Sequence, residues 1–323
     1  MSDPEDIADS VAKTDAEHLE KPLIEDVSAE VAPVVREFIT EATAANVAEG
    51  VAASEESAFQ AGAGFAAAAF ASDKVPPYIA FENVYKSFGD FVVLQDVSFY
   101  VNPGETLCIL GRSGVGKSVA LQILMGFLKP DSGTVLVAGQ DIAGLSEREM
   151  QEVRRKVTMV FQNGALFDSI TVGENVAFPL RERGNMEEDQ ILQVVKGLLE
   201  MVGVAGMENM LPSDLSTGMK RSVAIARALA AQPTAVLYDE PTTMVDPLMA
   251  HLLGDLIQRL KMQMHLTSIV VTHDMRFAEK LADRLVFLHE GKVRFFGTTE
   301  EMRASDDMVL REFFSMDELV LPV

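Results

Sequence analysis

Apolar and polar residues alternate along IAFENVYKSF (79–88) and VVLQDVSFYV (92–101), the period of a half-buried strand, and the two runs predict an antiparallel pair. ETLCILG (105–111) is instead a continuous apolar run. It opens into a glycine-rich turn and then into KSVALQILMGFL (117–128), which reads as a helix. AVLYDEP (235–241) and TSIVVTHD (267–274) have the same unbroken apolar character, expected of central parallel strands covered on both faces. Helical patterns such as RSVAIARALAAQ (221–232) and MAHLLGDLIQRLKMQM (249–264) lie between them. The order predicts α/β layering with an antiparallel β piece at its front, built once, since no internal duplication is visible.

Residues 1–77 break this pattern. They are rich in Ala, Glu, Asp and Val, show no strand alternation, and hold 16 of the 49 acidic residues but only four of the 27 basic ones. This segment is expected to be a mostly disordered or weakly helical acidic tail. Within it AFQAGAGFAAAAFA (58–71) reads as a low-complexity linker, and Pro76 and Pro77 mark the boundary before the first strand. Domain limits follow: a tail over 1–77, one α/β domain over 78–300 with a helical subdomain over about 163–232, and a C-terminal tail over 301–323 offering a dimer or partner contact.

The net charge of −22 argues against nucleic acid or anionic lipid as an electrostatic partner. A single cysteine, Cys108, excludes an internal disulfide and fits a reducing compartment. The stretch MSDPEDIADS (1–10) is acidic and lacks the positive region and apolar core expected of a signal peptide, and no run reaches the roughly 18–20 apolar residues of a membrane-spanning helix. A soluble protein is expected.

The chemistry concentrates at strand ends. GRSGVGKS fits G-x-x-x-x-G-K-[ST] between a strand and a helix, where inward-turned amides cradle a phosphate chain. Gly111, Arg112, Ser113, Gly114, Val115 and Gly116 form that loop. Lys117 would reach the β- and γ-phosphates of ATP, and the Ser118 hydroxyl would ligate Mg²⁺. Asp239, at the end of AVLYD, would hold the Mg²⁺ shell, and Glu240 beside it is placed to polarise an attacking water. His273 ends a neighbouring strand and would be aimed at the same crevice. LSTGMKRS (215–222) has the look of a second phosphate-gripping helix start, with Ser216 and Gly218 as its contacts; alone, it is equally a helix capped by Ser216. Thr217 is tolerable there only if its backbone keeps a negative φ.

The order GRSGVGKS, MVFQNGALF, LSTGM, YDEPTTMVD, VTHD resembles the ATPase subunit of an ABC transporter across residues 78–300. That resemblance implies an ABC-type P-loop ATPase fold with an antiparallel β subdomain, a RecA-like parallel core and a helical subdomain. It implies that Gln162 senses Mg²⁺ and the attacking water, that Phe88 stacks on adenine, and that Asp246 belongs to the loop joining two half-sites. It further implies a homodimer across two ATP molecules, because LSTGM would complete the partner's site. The stretch 161–182, the Met of LSTGM, the DEPTT run and the tail REFFSMDELVLPV are similar to the Mla/Mce-type lipid-transport ATPases. Their pattern implies an integral-membrane permease, an MCE-domain lipid-binding protein, a small STAS-type protein, and a place on the cytoplasmic face of the inner membrane. Two other classes compete: a non-hydrolysing regulatory subunit, suggested by Thr217 and Met244–Val245, and a soluble ABC ATPase without a permease, disfavoured by the single compact unit and absent basic patch.

Overall fold

The computed structural model describes residues 22–56 and 76–318. A 3-10 turn (Leu23–Asp26) precedes helix α1 (Ala32–Glu56). Strands β1 (Ile79–Phe88) and β2 (Phe91–Val101) form the expected antiparallel hairpin, and β3 (Thr106–Leu110) runs into the glycine turn and helix α2 (Lys117–Leu124). Then come β4 (Ser132–Val137), β5 (Gln140–Asp141), α3 (Glu147–Lys156) and β6 (Val157–Val160). A helical subdomain follows, made of α4 (Val172–Arg183), α5 (Glu188–Met201) and α6 (Thr217–Ala230). The chain returns through β7 (Ala235–Asp239), α7 (Pro247–Met264), β8 (Thr267–Thr272), α8 (Met275–Leu281), β9 (Arg284–His289) and β10 (Lys292–Gly297). It closes with α9 (Thr299–Arg303) and α10 (Met308–Glu318).

Two sheets result. An antiparallel sheet has the order β2-β1-β4-β5, and a six-stranded sheet has the order β10-β9-β3-β8-β7-β6, parallel except at the β10 edge. Alternate residues of the parallel strands feed two cores, which is why these strands read as unbroken apolar runs. Cys108, Leu110, Val236, Tyr238 and Val270 join the core shared with α5, α6 and α7, while Leu107, Ile109, Leu237, Ile269 and Val271 join the core under the antiparallel sheet and α2.

Capping chemistry punctuates the helices. Ser146, Thr171 and Thr298 each form a capping box, with Glu149, Glu174 and Glu301 reaching back to the cap amide. Thr171 at its N-cap and Gly184 at its left-handed C-cap set the limits of the first subdomain helix, which runs through Pro179.

One stretch corrects the sequence reading. Within the segment expected to be a tail, residues 23–50 are packed: Leu23, Val27, Val31, Val35, Phe38 and Ala42 are buried in the core shared with α5 and α7. These apolar positions are spaced three or four apart, and the alanine-rich background and acidic outer face concealed that stripe. Of the C-terminal tail, α9 and α10 are ordered, and Leu310 and Phe313 pack on the domain, the Phe313 ring edge-on to Phe287 at 4.9 Å. The apolar run 58–71 lies outside the described residues. No described helix is long and apolar enough to cross a membrane.

Candidate functional site

The phosphate-type loop is shaped by backbone conformations that only glycine adopts easily. Gly116 has φ 106°, and a Cβ there would lie 2.6 Å from Leu94 Cδ2 and 3.0 Å from the Val93 carbonyl. Gly111 has φ 151°, and its Cβ would meet the Leu288 carbonyl at 2.5 Å. The loop is thus wedged between the antiparallel sheet and the end of β9. Gly116 is the N-cap of α2 and offers no side-chain cap, so the first amides of the helix point into the loop.

Lys117 is only 5% exposed. Its ammonium donates to the carbonyls of Gly111 (2.7 Å) and Arg112 (3.1 Å) and stands 3.5 Å from Glu240 Oε1. Burial pushes the Lys117 pKa below its ordinary value, opposed by the charges of Glu240 and Asp239. Ser118 Oγ donates to Asp239 Oδ1 at 2.9 Å. Burial chiefly raises the Asp239 pKa, with neighbouring Glu240 adding to the rise and the Ser118 hydrogen bond opposing it.

Strand register places the acidic pair beside the histidine. Asp239 pairs with Val271, the Glu240 amide donates to the Val271 carbonyl at 2.9 Å, and His273 leaves β8 two residues later. Glu240 has φ +48°, a left-handed conformation that a glutamate adopts at a cost. Its Oε2 meets His273 Nδ1 at 2.7 Å and accepts from Thr243 Oγ1 at 3.2 Å. Both carboxylate oxygens are therefore held from different elements. Thr243 escaped the sequence reading; its position three residues beyond Glu240, in the turn where the Thr243 amide donates to the Glu240 carbonyl at 3.3 Å, was the available signal.

The other predicted residues lie on separate pieces of the frame. Gln162 is exposed two residues beyond β6, whose Val160 pairs with Tyr238. Phe88 ends β1 with its ring 49% exposed, and Lys86 Nζ sits 5.5 Å from the ring centroid. Ser216 caps α6 on the helical subdomain, its Oγ accepting from the Met219 amide at 3.3 Å. Thr217 is the first residue of that helix and is not among the left-handed residues, so its β-branch is not strained. Gly218 is buried against the side chain of Met249, whose amide Asp246 caps at 3.0 Å. The structure thus gathers residues 111–118, Asp239, Glu240 and His273 into one crevice, and seats the Ser216–Gly218 helix start beside Asp246.

The crevice fits a triphosphate. A loop that leaves no room for a Cβ at Gly111 or Gly116, an open helix N-terminus and a buried ammonium make a polyanion cradle, and the hydroxyl–carboxylate pair of Ser118 and Asp239 is a hard-oxygen donor set suited to Mg²⁺. Among the described residues there is no cluster of three or more His, Cys, Asp or Glu that could hold a metal unaided.

Comparison with known proteins adds independent findings. Residues 94–243 match the family described as ABC transporter. The chain is 40% identical over 235 residues to the intermembrane phospholipid transport system ATP-binding protein MlaF of Haemophilus influenzae, covering 73% of this chain and 89% of that protein. It is 41% identical over 252 residues to the chloroplastic protein trigalactosyldiacylglycerol 3 of Arabidopsis thaliana, covering 72% and 71%. Among solved structures, the dimeric ATP-binding cassette MJ0796 in a post-hydrolysis state bound to ADP and Pi shares 32% identity at a TM-score of 0.64, over 68% of this chain and 98% of that one.

Proposed function

The chain belongs to the ABC transporter family and is an ATP hydrolase of that type, and from that premise we propose that it powers the movement of phospholipid or another hydrophobic molecule between membranes. The observation that carries the chemical part is the convergence of Lys117, Ser118, Asp239, Glu240 and His273 at one set of strand ends. The lipid part rests on similarity to a phospholipid-transport ATP-binding protein.

In this reading the amides of residues 111–118 and the Lys117 ammonium hold the β- and γ-phosphates, and the Phe88 ring stacks on adenine. Ser118, Asp239 and Gln162 hold Mg²⁺, which supplies neutralisation of charge on the phosphate oxygens when bound. Glu240 orients and polarises the attacking water. His273 keeps Nδ1 on Glu240 and turns Nε2 toward the γ-phosphate, linking the base to the group being cleaved. Ser216 and Gly218 of a second copy present a hydroxyl and a helix N-terminus to the same phosphate, with Asp246 at the junction. ATP then closes a head-to-tail homodimer and hydrolysis releases it, a two-state element able to drive an integral-membrane permease.

The partners we assign are that permease, an MCE-domain lipid-binding protein and a small STAS-type protein, with the chain on the cytoplasmic face of the inner membrane. The test is to purify the tagged chain from native membranes, identify a multi-span partner, and follow fluorescent phospholipid between two vesicle populations. Transfer should require Mg-ATP and vanish with Glu240→Gln. Transfer unchanged by that substitution, or a complex with no multi-span protein, would refute the assignment.

A further inference from the structure

The N-terminal arm, residues 23–50, touches both the sheet-bearing core and the helical subdomain, and it holds them unequally. Toward the sheet side its bonds are buried or half-buried. Asp26 pairs with Arg259 at 2.6 Å, and Arg259 is only 4% exposed. Asn46 Nδ2 donates to the Met264 carbonyl at 2.8 Å in a buried setting. Glu49 accepts from Thr234 Oγ1 (2.5 Å) and the Tyr78 hydroxyl (3.1 Å) and pairs with Lys156, so one carboxylate ties α1 to three elements of the core.

Toward the helical subdomain one bond is half-buried, Gln232 Nε2 donating to the Phe38 carbonyl at 3.1 Å, and those to α5 are exposed. Ser28 donates its amide and hydroxyl to Glu200 at 2.6 and 3.1 Å, and Lys196 pairs with Glu30 at 2.6 Å on the open surface. Solvent screens exposed pairs of this kind, so they hold the arm weakly. Among the apolar contacts on this side, one is a knob in a notch: Val35 sits over Gly197 of α5, where an added Cβ would fall 2.1 Å from Val35 Cγ2. With valine at 35, any side chain larger than hydrogen at 197 would lift the arm, whereas removing Val35 Cγ2 relieves the closest clash.

We propose that residues 23–50 are a latch, anchored on the core by buried and half-buried polar bonds and releasable from α5, that sets the angle of the helical subdomain to the parallel sheet. This rests on the reading that Ser216 and Gly218, carried by that subdomain, meet a second copy's phosphate loop, since the latch acts by fixing where that helix start points. With the arm seated the subdomain keeps one orientation; with Val35 out of the Gly197 notch it turns while the arm stays on α7.

A reversible cross-link tests this. The Val35 Cβ lies 3.2 Å from the position of a Cβ at Gly197, close to the about 3.5–4.5 Å of a disulfide, and the one native cysteine, Cys108, is buried. In the full chain carrying Val35→Cys and Gly197→Cys, oxidation should lower Mg-ATPase at least about fivefold, roughly 1 kcal/mol on the barrier, and reductant should restore it. In a separate Glu240→Gln sample, ATP should speed amide exchange of residues 31–38 and leave residues 43–49 unchanged. Equal activity of the oxidised and reduced forms, or no ATP-dependent change in exchange, overturns the latch. An inactive wild-type chain would instead refute the hydrolytic reading, and the exchange measurement, which needs only nucleotide binding, still decides the latch.

Discussion

Thr243→Val isolates one restraint on the proposed base. The substitution deletes the hydroxyl that donates to Glu240 Oε2 at 3.2 Å and keeps the β-branched shape, so the turn from Glu240 to Asp246 retains its backbone. The remaining holds on Glu240 are His273 Nδ1 at 2.7 Å and Lys117 Nζ at 3.5 Å. A hydrogen bond to a charged acceptor contributes about 1.5–3 kcal/mol, and this one, the longer of the two hydrogen bonds on Oε2, belongs at the low end. Part of that is felt equally before and during attack of water, leaving roughly 0.7–1.4 kcal/mol on the barrier and a fall in kcat of about three- to tenfold. KM for ATP should stay within about twofold, because Thr243 touches no phosphate-binding residue other than through Glu240. Thr243→Ser should restore the rate. The assay is steady-state phosphate release by the purified chain over a range of ATP concentrations. A kcat indistinguishable from wild type, or a change confined to KM, would refute the claim that Thr243 positions Glu240.

Three further outcomes follow from the same geometry. Gly116→Ala forces a Cβ to within 2.6 Å of Leu94 in a left-handed backbone, and fluorescent-nucleotide titration should show ATP binding weakened at least about tenfold, from strain of about 1–3 kcal/mol. Asp26→Ala leaves the buried Arg259 guanidinium without this carboxylate and should destabilise the fold by about 3–5 kcal/mol in denaturant titration, while adding Arg259→Met should recover most of the loss. Thr217→Gly should leave the ATPase rate within about twofold, since Thr217 already lies in right-handed helix and the change costs at most about 1 kcal/mol of helix propensity; a hundredfold rise would show a hobbled half-site.

The sheet and the phosphate loop were legible because their signals are local. An unbroken apolar strand ending in glycines, then a lysine at a helix start, leaves few alternatives for 106–118, and the β7 and β8 runs announce their carboxylate and histidine in the same way. Thr243 was not legible, because its role depends on the left-handed turn at Glu240, and no residue type there demands it. The N-terminal arm was missed for a different reason. Its stripe of Val31, Val35, Phe38 and Ala42 is thin, set among acidic residues, and complementary to a notch at Gly197 more than 150 positions away, which only the folded molecule brings opposite. At LSTGM the structure shows the capped helix, with Ser216 capping α6, and the proposed phosphate-binding role adds a second copy to that same helix start.

The central claim, a Glu240-dependent site completed by another copy's Ser216, is tested most directly by the mass of Glu240→Gln in solution with Mg-ATP. It should double from the 35.1 kDa monomer, and adding Ser216→Arg should return it to monomer while leaving ATP bound. A Glu240→Gln chain that stays monomeric with ATP, or a dimer indifferent to Ser216→Arg, would contradict it.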